Sequence, residues 1–339
     1  MNSSAPKLRD VAEHAGVSMG TVSHVLNHPE KVSQKTIARV RASIEALGFV
    51  RDANASSLAA GGSRSIGLVV IDIGNSMFVD VALGAQGIAT AAGLKLLLAA
   101  SQDSFELQGA NVDFFDEARV AGLLLAPMQD SSEQTRRLLT RGMPVVLVNY
   151  DPGDNNVCSV IVDNEQVGYL AGRHMVDLGC ERLMFVHGDL AMQPVRHRLD
   201  GFRRAVREAK GRVRVEEVEV PDFTAASGEA IAHRVAARGP GTRPDGVVAV
   251  TDLLATGFVQ GMTTHGIDVP RDVAVMGCDD NTSAPRLDAT LTTMAMGGIE
   301  LGSAAMRLLI EEMNPDRNHV HQRVVVEPKL ILGGTTSPR

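Results

Sequence analysis

The 339-residue chain predicts a small all-α unit followed by a larger α/β unit with parallel sheets. Its length exceeds the ~100–200 residues of an ordinary domain. Apolar residues recur with helical periodicity within residues 8–47, whereas beyond residue 65 apolar runs of strand length alternate with amphipathic stretches. The apolar fraction of 44% and the charged fraction of 22% are typical of a globular protein.

Three short helices are predicted within residues 6–50. The first runs over 8–15, where apolar residues follow the i, i+3, i+4, i+7 spacing, and Gly16 permits its end. Ser18 can cap a second helix and Ser33 a third, which Gly48 closes. Two helices joined by a tight glycine turn indicate a helix-turn-helix unit, whose second helix enters the major groove of DNA. A small helical bundle without a nucleic-acid role is an alternative interpretation of the same pattern.

Residues 51–62 predict a marginal hinge helix. Asp52 can cap a run of small residues around Leu58, and two glycines at 61–62 break it. A helix shorter than about 12–15 residues is unstable alone, so we expect this segment to be helical only with a partner. A plain flexible linker is the alternative interpretation.

The unit from residue 65 onward predicts parallel sheets covered on both faces by crossover helices. Ligands of such sheets bind at the carboxyl ends of the strands. The predicted strands are Ile66–Ile71, Leu94–Ala99, Gly122–Leu125, Val145–Val148, Leu183–Val186, Val213–Val218, Gly246–Val250 and Val273–Gly277. Predicted helices include Phe78–Ala92, Gln166–Leu178, Gly201–Ala209 and Leu253–His265. No glycine-rich dinucleotide loop or Walker A sequence is present, so we predict no cofactor.

Charge and cysteine usage suggest a compartment and a partner. Residues 1–64 carry a net charge of +3 and the remainder −10, as expected for a polyanion-binding head on an acidic body. The three cysteines, Cys158, Cys180 and Cys278, are widely spaced, which suits a reducing compartment. The first residues lack an apolar signal segment, and no apolar run is long enough to span a bilayer. We therefore expect a cytoplasmic protein that associates with the nucleoid when bound to DNA.

Motifs for catalysis and metal binding are weak. The run Gly16–Gly20 matches the nucleophile-elbow pattern, but that motif follows a strand and here a helix precedes it. His24 with His28, and His319 with His321, have metal-ligand spacing, yet no third ligand or cysteine cluster accompanies either pair in the sequence. The sequence predicts neither an enzyme nor a metal site.

The run Leu8–Asn27 closely resembles the headpiece of the LacI/GalR (lactose-repressor) family. The resemblance implies a sequence-specific, DNA-binding transcriptional regulator, usually a repressor, that binds double-stranded DNA at a palindromic operator. It implies that Met19, Gly20 and His24 read base edges, and that Ser18, Thr21, Ser23 and Asn27 contact phosphates. His24 stands where arginine is more frequent and Gly20 offers no side chain, so operator preference does not carry over.

In the same family the hinge folds on the operator and wedges a leucine into the minor groove. Leu58 matches that leucine, and Ala55 matches a neighbouring alanine that faces the groove. The family usually has Pro-Asn where this chain has Arg51 and Asp52, and often arginine at Ser56. Apolar wedges of this kind kink the duplex.

Residues 65–339 resemble the family's α/β periplasmic-binding-protein-like (type I) two-subdomain sensor domain. The resemblance rests on the runs 66–70, 160–164, 198–202, 277–280 and 291–293. It implies an effector-binding and dimerisation domain with an N-subdomain of about 65–164 and 295–322. The C-subdomain would hold about 165–294 and 323–339, and a cleft would lie between the two.

Arg198, Asp252 and Asp279 match cleft positions that bind the effector in this family. One guanidinium and two carboxylates suit a small polar, sugar-like ligand. Second-rank effector candidates are Phe78, Asn149, Tyr150 and Met296. Two of these positions depart from the family, since Met296 replaces a common glutamine and residues 149–150 replace Asp-Arg. A structural ion pair is the alternative role for each charged candidate.

The assembly expected from this resemblance is a homodimer, since a two-fold protein matches a two-fold operator. No leucine heptads follow the sensor, so a coiled-coil tetramer is not predicted. A free-standing solute-binding protein is a competing class, opposed by the headpiece and the missing signal segment. The effector's identity, the operator and the choice between induction and co-repression stay open.

Overall fold

The computed structural model describes residues 6–50, 63–154, 156–314 and 319–336. The chain divides into two compact units, Met1–Ser63 and Arg64–Arg339. Among the described residues, no helix combines the length and apolar character needed to cross a membrane.

The small unit is a three-helix bundle. It comprises α1 (Leu8–Ala15), α2 (Met19–Asn27), a 3-10 turn (Pro29–Lys31) and α3 (Gln34–Leu47). Its core contains the apolar faces predicted from the helical spacing, namely Val11, Ala12, Ala15, Val22, Val25, Ile37 and Val40.

The predicted helix ends of this unit are confirmed. The Ser18 Oγ accepts a hydrogen bond from the Thr21 N–H at 3.1 Å, which satisfies a donor that the first turn of α2 leaves free. Ser33 caps α3 in the same way. Gly16 and Gly48 end α1 and α3 at φ 61°, a left-handed conformation that favours glycine.

The described part of the large unit contains three sheets flanked by helices. The strands are β1 (Ser65–Val70), β2 (Lys95–Ala100), β3 (Gly122–Leu125), β4 (Val145–Val148), β5 (Cys158–Val162), β6 (Arg182–His187), β7 (Arg214–Glu219), β8 (Gly246–Ala249), β9 (Ala274–Met276), β10 (Thr293–Ala295), β11 (Arg323–Val326) and β12 (Lys329–Ile331). The helices are α4 (Ser76–Ala91), α5 (Phe105–Glu117), α6 (Ser132–Thr140), α7 (Asn164–Asp177), α8 (Gln193–Glu208), α9 (Ala225–Ala236), α10 (Asp252–Thr264) and α11 (Gly298–Glu312).

Two parallel sheets form the two subdomains. One has the order β11-β5-β4-β3-β1-β2, and the other has the order β7-β6-β8-β9. A two-stranded antiparallel sheet, β10-β12, lies where the chain passes between the subdomains. The predicted α/β class with parallel sheets and two subdomains is confirmed.

Two boundaries differ from the sequence-based expectation by more than two residues. Arg323–Val326 forms β11 and pairs with β5 in the first sheet, so the chain leaves the N-subdomain after residue 326 instead of at residue 322. This edge strand is short and flanked by polar residues, so its apolar residues did not predict a strand. Helix α8 begins at Gln193 and not at Gly201, because the first two turns are polar and Pro194 stands in the first turn. Arg198 therefore lies on a helix.

Helices α7 and α8 approach until their backbones touch. A Cβ on Gly168 would lie 1.7 Å from the Arg198 backbone oxygen, and one on Gly201 would lie 1.8 Å from the Glu165 backbone oxygen. Only glycine fits at these two points. Because neither residue has a side chain, the two backbones pack directly against each other, and this contact fixes the position of α8 relative to α7. The backbone of Arg198 is part of this contact.

Gly168→Ala should therefore destabilise the protein by about 1–3 kcal/mol or more, because the methyl group must push the two helices apart. Gly87→Ala on α4 is the matched control, since its Cβ would meet nothing within 4 Å. That control should be neutral or stabilising by up to about 1 kcal/mol, through helix propensity. Urea unfolding measures both free energies, and equal values for the two variants would contradict the close crossing.

Candidate functional site

The second helix of the small unit presents a polar outer face. Met19 is 53% exposed, and Gly20, His24 and Asn27 are also exposed. The other side of α2 is apolar and packs into the core of the unit. A helix with this division can enter a groove of DNA without disturbing its own fold.

Neighbouring polar groups on α2 are held by local hydrogen bonds. The Ser18 and Thr21 hydroxyls lie 2.9 Å apart, and the Asn27 amide donates to the Ser23 Oγ at 3.2 Å. These residues lie at the beginning and along the exposed side of α2, as the sequence predicted. Ala55 and Leu58, the predicted minor-groove residues, lie outside the described residues.

The large unit has a cleft between its two parallel sheets. The cleft holds a cavity of about 130 Å³. Its lining residues follow the carboxyl ends of strands from both sheets, where α/β folds bind ligands. Asp72, Asp103 and Asn149 follow strands of the first sheet, and Thr251 and Asp279 follow strands of the second.

Arg198 reaches this cleft from α8 and is 5% exposed. Its Nε donates to the Asn164 Oδ1 at 2.9 Å, and its Nη1 donates to the Val250 backbone oxygen at 2.7 Å. These bonds fix the plane of the guanidinium. Its Nη2 makes no hydrogen bond or ion pair with any residue in the described part of the chain. The group thus offers an oriented donor at the wall of the cleft.

Asp279 accepts one of the hydrogen bonds that join the two subdomains across the cleft. Its Oδ2 accepts from the Asn75 amide at 2.6 Å, and its Oδ1 accepts from the Asp252 N–H at 2.8 Å. Asn75 is the N-cap of α4 in the first subdomain, where its Oδ1 accepts from the Met77 N–H at 2.9 Å. Burial raises the pKa of Asp279, while the charge of Arg198 partly opposes this shift.

Asp252 does not line the cleft; it lies behind Asp279. Its Oδ2 accepts from the Asn281 N–H at 2.8 Å. Its Oδ1 accepts from the Thr293 hydroxyl at 2.6 Å and from the Asp279 N–H at 3.2 Å. Burial and the neighbouring charge of Asp279 raise its pKa well above the ordinary range. The expectation of direct effector contact is corrected, since every bond of this carboxylate holds the loop that presents Asp279.

The second-rank candidates divide into two groups. Phe78 and Asn149 line the cleft, and the Asn149 Oδ1 accepts from the Asn164 amide at 2.9 Å. Tyr150 lies instead on a separate surface pocket with Pro127. Met296 is 2% exposed in the core and does not line the cleft. Tyr150 and Met296 are therefore corrected as contact candidates. Asn149 has a positive φ of 54°, which turns the backbone after β4. The side chains of Asn149 and Tyr150 therefore lie in different places.

Sequence reasoning missed several cleft residues. Asn75, Asp72 and Asp103 supply polar groups, and Phe223 adds a second ring on the side of the second subdomain. Asp72, Asn75 and Asp103 share one signal in the sequence, which is their position after predicted strands at the carboxyl edge of the sheet. The sequence indicates that edge as the ligand side, but it does not show which loop residues reach the cleft.

Comparison with known proteins assigns both units to families. Residues 7–52 match the model for bacterial regulatory proteins of the lacI family, and residues 173–336 match the periplasmic binding protein-like domain. The chain is 31% identical to the HTH-type transcriptional repressor PurR of Photorhabdus laumondii over 327 residues, which are 96% of this chain and 95% of that protein. This chain belongs to the LacI family.

Other relatives of this LacI-family chain agree. PurR of Photobacterium profundum is 30% identical over 328 residues, 96% of this chain and 97% of that protein. The regulator CelR, solved with cellobiose, has a TM-score of 0.72 at 26% identity, covering 98% of this chain and 100% of that one. A LacI-family regulator from Silicibacter pomeroyi has a TM-score of 0.84 at 24% identity, covering 97% and 99%. The LacI-family chain is thus a DNA-binding transcriptional regulator with an effector domain.

The buried carboxyls of this LacI-family domain predict a pH dependence. A carboxyl whose pKa is raised by folding binds its proton more tightly when folded, so stability falls as pH rises above about 3.9. Asp279→Asn removes this contribution. The free energy of unfolding of the wild type minus that of the variant should therefore decrease from about pH 4 to about pH 7 in urea titrations.

Asp222→Asn is the control of opposite sign. Hydrogen bonds from Ser227 and Thr224 lower the pKa of Asp222, so its ionised form is favoured by folding. Its contribution is present above about pH 3.9 and is lost as the pH falls through that range. A constant difference between wild type and Asp279→Asn across the titration would contradict the assignment.

Proposed function

We propose that this LacI-family regulator is a repressor whose operator affinity is controlled by a small, uncharged, sugar-like ligand in the cleft. The observation that carries the proposal is the guanidinium of Arg198. Two of its nitrogens are fixed by the protein and Nη2 is left for a ligand. A charged donor held in a fixed orientation at the wall of a cleft can give a ligand a hydrogen bond worth about 1.5–3 kcal/mol.

The charge of the cleft supports a neutral ligand. Three carboxyl side chains, Asp72, Asp103 and Asp279, face a single arginine among its lining residues. Burial, with the charges of Asp72 and Asp222, raises the pKa of Asp103, as expected in a region already rich in negative charge. Anionic effectors would meet repulsion here. The 26%-identical regulator CelR was solved with cellobiose, a neutral sugar, which agrees with this choice.

Apolar walls complete a sugar-like site. Phe78 and Phe223 line the cleft from the first and second subdomains. A sugar ring has an apolar C–H face that packs on an aromatic ring and an edge of hydroxyls that bind carboxylates and guanidinium. A lining that combines polar groups with aromatic rings favours a polyhydroxylated molecule over an extended apolar one.

Coupling to DNA would operate through the contacts that join the subdomains. Besides the bond between Asn75 and Asp279, the Ser76 N–H donates to the Asn281 Oδ1 at 3.1 Å. The Thr282 N–H donates to the Ser76 Oγ at 2.9 Å. A ligand that competes for Asn75 or Asp279 would alter these bonds and the angle between the subdomains. The shift requires that the ligand bind one arrangement more tightly than the other.

The DNA-binding part of the proposal uses the exposed face of α2. Met19, Gly20 and His24 would face base edges, with Ser18, Thr21, Ser23 and Asn27 at phosphates. Leu58 and Ala55 of the hinge would enter the minor groove. These assignments rest on the family resemblance and on the exposure of α2.

A homodimer on a palindromic operator is part of the same proposal. The edge strand β2 exposes Leu97 and Leu98 at 41% and 47%, and the neighbouring helix α4 exposes Val79 and Leu83 at 39% and 55%. Exposed apolar side chains on one edge and its adjacent helix are typical of an interface. We place the protein in the cytoplasm, on the nucleoid when bound to its operator, and assign it no catalysis and no cofactor.

Arg198→Ala tests the effector site. A thermal-shift screen with neutral sugars, polyols, nucleobases and sugar phosphates should first find stabilisation by a neutral polar ligand. Arg198→Ala should then weaken its binding by about tenfold or more, because a charged hydrogen bond contributes about 1.5–3 kcal/mol. Calorimetry measures the affinity, and anisotropy should show unchanged operator binding without ligand.

Arg204→Ala provides the matched control for that test. Arg204 lies partly exposed on the same helix, where it pairs with Glu165 and lies over the Tyr169 ring. Its loss should leave ligand affinity unchanged. If Arg198→Ala binds the ligand as the wild type does, the effector site lies elsewhere. If only sugar phosphates bind, the neutral-ligand assignment fails.

His24→Ala tests the recognition helix. An operator is first selected from random duplexes with the wild-type protein. The variant should bind that operator about tenfold or more weakly, as expected for a base contact worth about 1–3 kcal/mol, while affinity for random DNA changes little. Glu45→Gln, an exposed change on α3, should not lower the ratio of specific to non-specific affinity. An unchanged ratio for His24→Ala would remove this residue from base reading.

A further inference from the structure

Four potential metal ligands meet at one point of the large unit, three from residues 312–321 and one from a distant strand. They are Cys158, Glu312, His319 and His321, and one donor atom from each lies within 4.8 Å of the others. The Cys158 Sγ is 3.0 Å from the His319 Nε2 and 3.8 Å from the His321 Nδ1. The His319 Nε2 is 4.0 Å from the Glu312 Oε2. The sequence shows only the histidine pair, and the fold adds a thiol and a carboxyl.

The fold holds these groups from three directions. Cys158 begins β5 and is fully buried, and Glu312 ends α11. The Gln322 N–H donates to the Cys158 Sγ at 3.4 Å, and the Ser159 N–H donates to the Gln322 backbone oxygen at 2.9 Å. The pairing of β5 with β11 therefore fixes the two histidines beside the thiol.

The described residues leave one carboxyl oxygen of Glu312 without a hydrogen bond. Its Oε2 is buried and forms no hydrogen bond with any residue that the structure describes. A buried acceptor of this kind calls for a positive partner, and the three other donors surround the position where such a partner would be bound.

The donor set fits zinc. Thiolate, imidazole and carboxylate are the ligands of Zn²⁺, with bonds of about 2.0–2.3 Å. Donors at the corners of such a tetrahedron stand about 3.3–3.7 Å apart, close to the 3.0, 3.8 and 4.0 Å found among these atoms. One thiolate and one carboxylate also balance the charge of a divalent ion. A thiolate disfavours magnesium and calcium, which take oxygen ligands.

We propose that Cys158, Glu312, His319 and His321 form a four-ligand structural zinc site. With all four positions filled by protein, the ion has no open position for catalysis. It would bind the end of α11 and the chain before β11 to the amino end of β5. None of the four residues lines the effector cleft, which follows the carboxyl ends of the strands. The site is therefore independent of the function proposed above.

Metal binding is tested on the full chain purified without a histidine tag and stripped with a chelator. Zinc should bind at one ion per chain and raise the melting temperature, since a ligand of the folded state stabilises it. Cobalt(II) should give a thiolate charge-transfer band and the intense visible bands of a tetrahedral site. Metal content is measured by mass spectrometry and affinity by competition with a chromophoric chelator.

Variants identify the ligands. Cys158→Ser should abolish the charge-transfer band, and His321→Ala should weaken zinc binding by about tenfold or more. His321 is only partly buried, so its variant tests the site even if Cys158→Ser fails to fold. Circular dichroism verifies folding. Cys180→Ser, at another buried cysteine, should leave both spectrum and affinity unchanged.

A second histidine pair is the alternative zinc-binding site that the experiment must exclude. The His233 Nδ1 and the His265 Nε2 lie 2.7 Å apart on the surface, without a thiol. His233→Ala should not alter zinc affinity or the cobalt spectrum. Loss of zinc in His233→Ala but not in His321→Ala overturns the proposal. It is also overturned if the wild type binds zinc no more tightly than His321→Ala, or if its cobalt complex lacks the thiolate band.

Discussion

The cleft depends on the buried carboxylate of Asp252. It accepts hydrogen bonds from the backbone of Asn281 and Asp279 and from the Thr293 hydroxyl, so it joins the start of α10, the turn after β9 and the start of β10. A Cβ on Gly277 would lie 2.0 Å from its Oδ1, so the carboxylate also requires glycine at the entrance to that turn. Removing this group would release the loop that presents Asp279.

From that loop the contacts extend to the other subdomain. Asp279 and Asn281 accept from Asn75 and from the Ser76 backbone at the beginning of α4. The N-terminus of a helix leaves backbone donors free, and here the second subdomain satisfies one of them. Opening the cleft would leave these groups without partners until water or a ligand replaced them. This exchange gives an effector a direct way to change the balance between two arrangements.

Local features of the fold were predictable from sequence, whereas contacts between distant segments were not. Ser18, Ser33, Gly16 and Gly48 act within one turn of the helices they begin or end, so neighbouring residues contain the necessary information. The cleft position of Arg198 was available from the family motif. Asp252 and Met296 were misassigned as contacts because a motif gives a position in the chain but not the direction of a side chain.

The metal-ligand cluster is another contact between distant segments that the sequence did not predict. Cys158 and His319 are 161 residues apart, and only the parallel pairing of β5 and β11 brings them together. No spacing rule spans such a distance, because the intervening chain forms most of a second subdomain. Asn75 was missed for the same reason, since its partner Asp279 lies 204 residues away.

The backbone contact between α7 and α8 has a consequence for engineering. Because Gly168 and Gly201 fix the position of α8, the guanidinium of Arg198 keeps its place when other walls of the cleft are exchanged. Met192 and Leu253 line the cleft but take no part in the bond between Asn75 and Asp279. Libraries at those two positions could therefore change which molecule is detected while preserving the output, which makes this domain a suitable scaffold for genetically encoded biosensors.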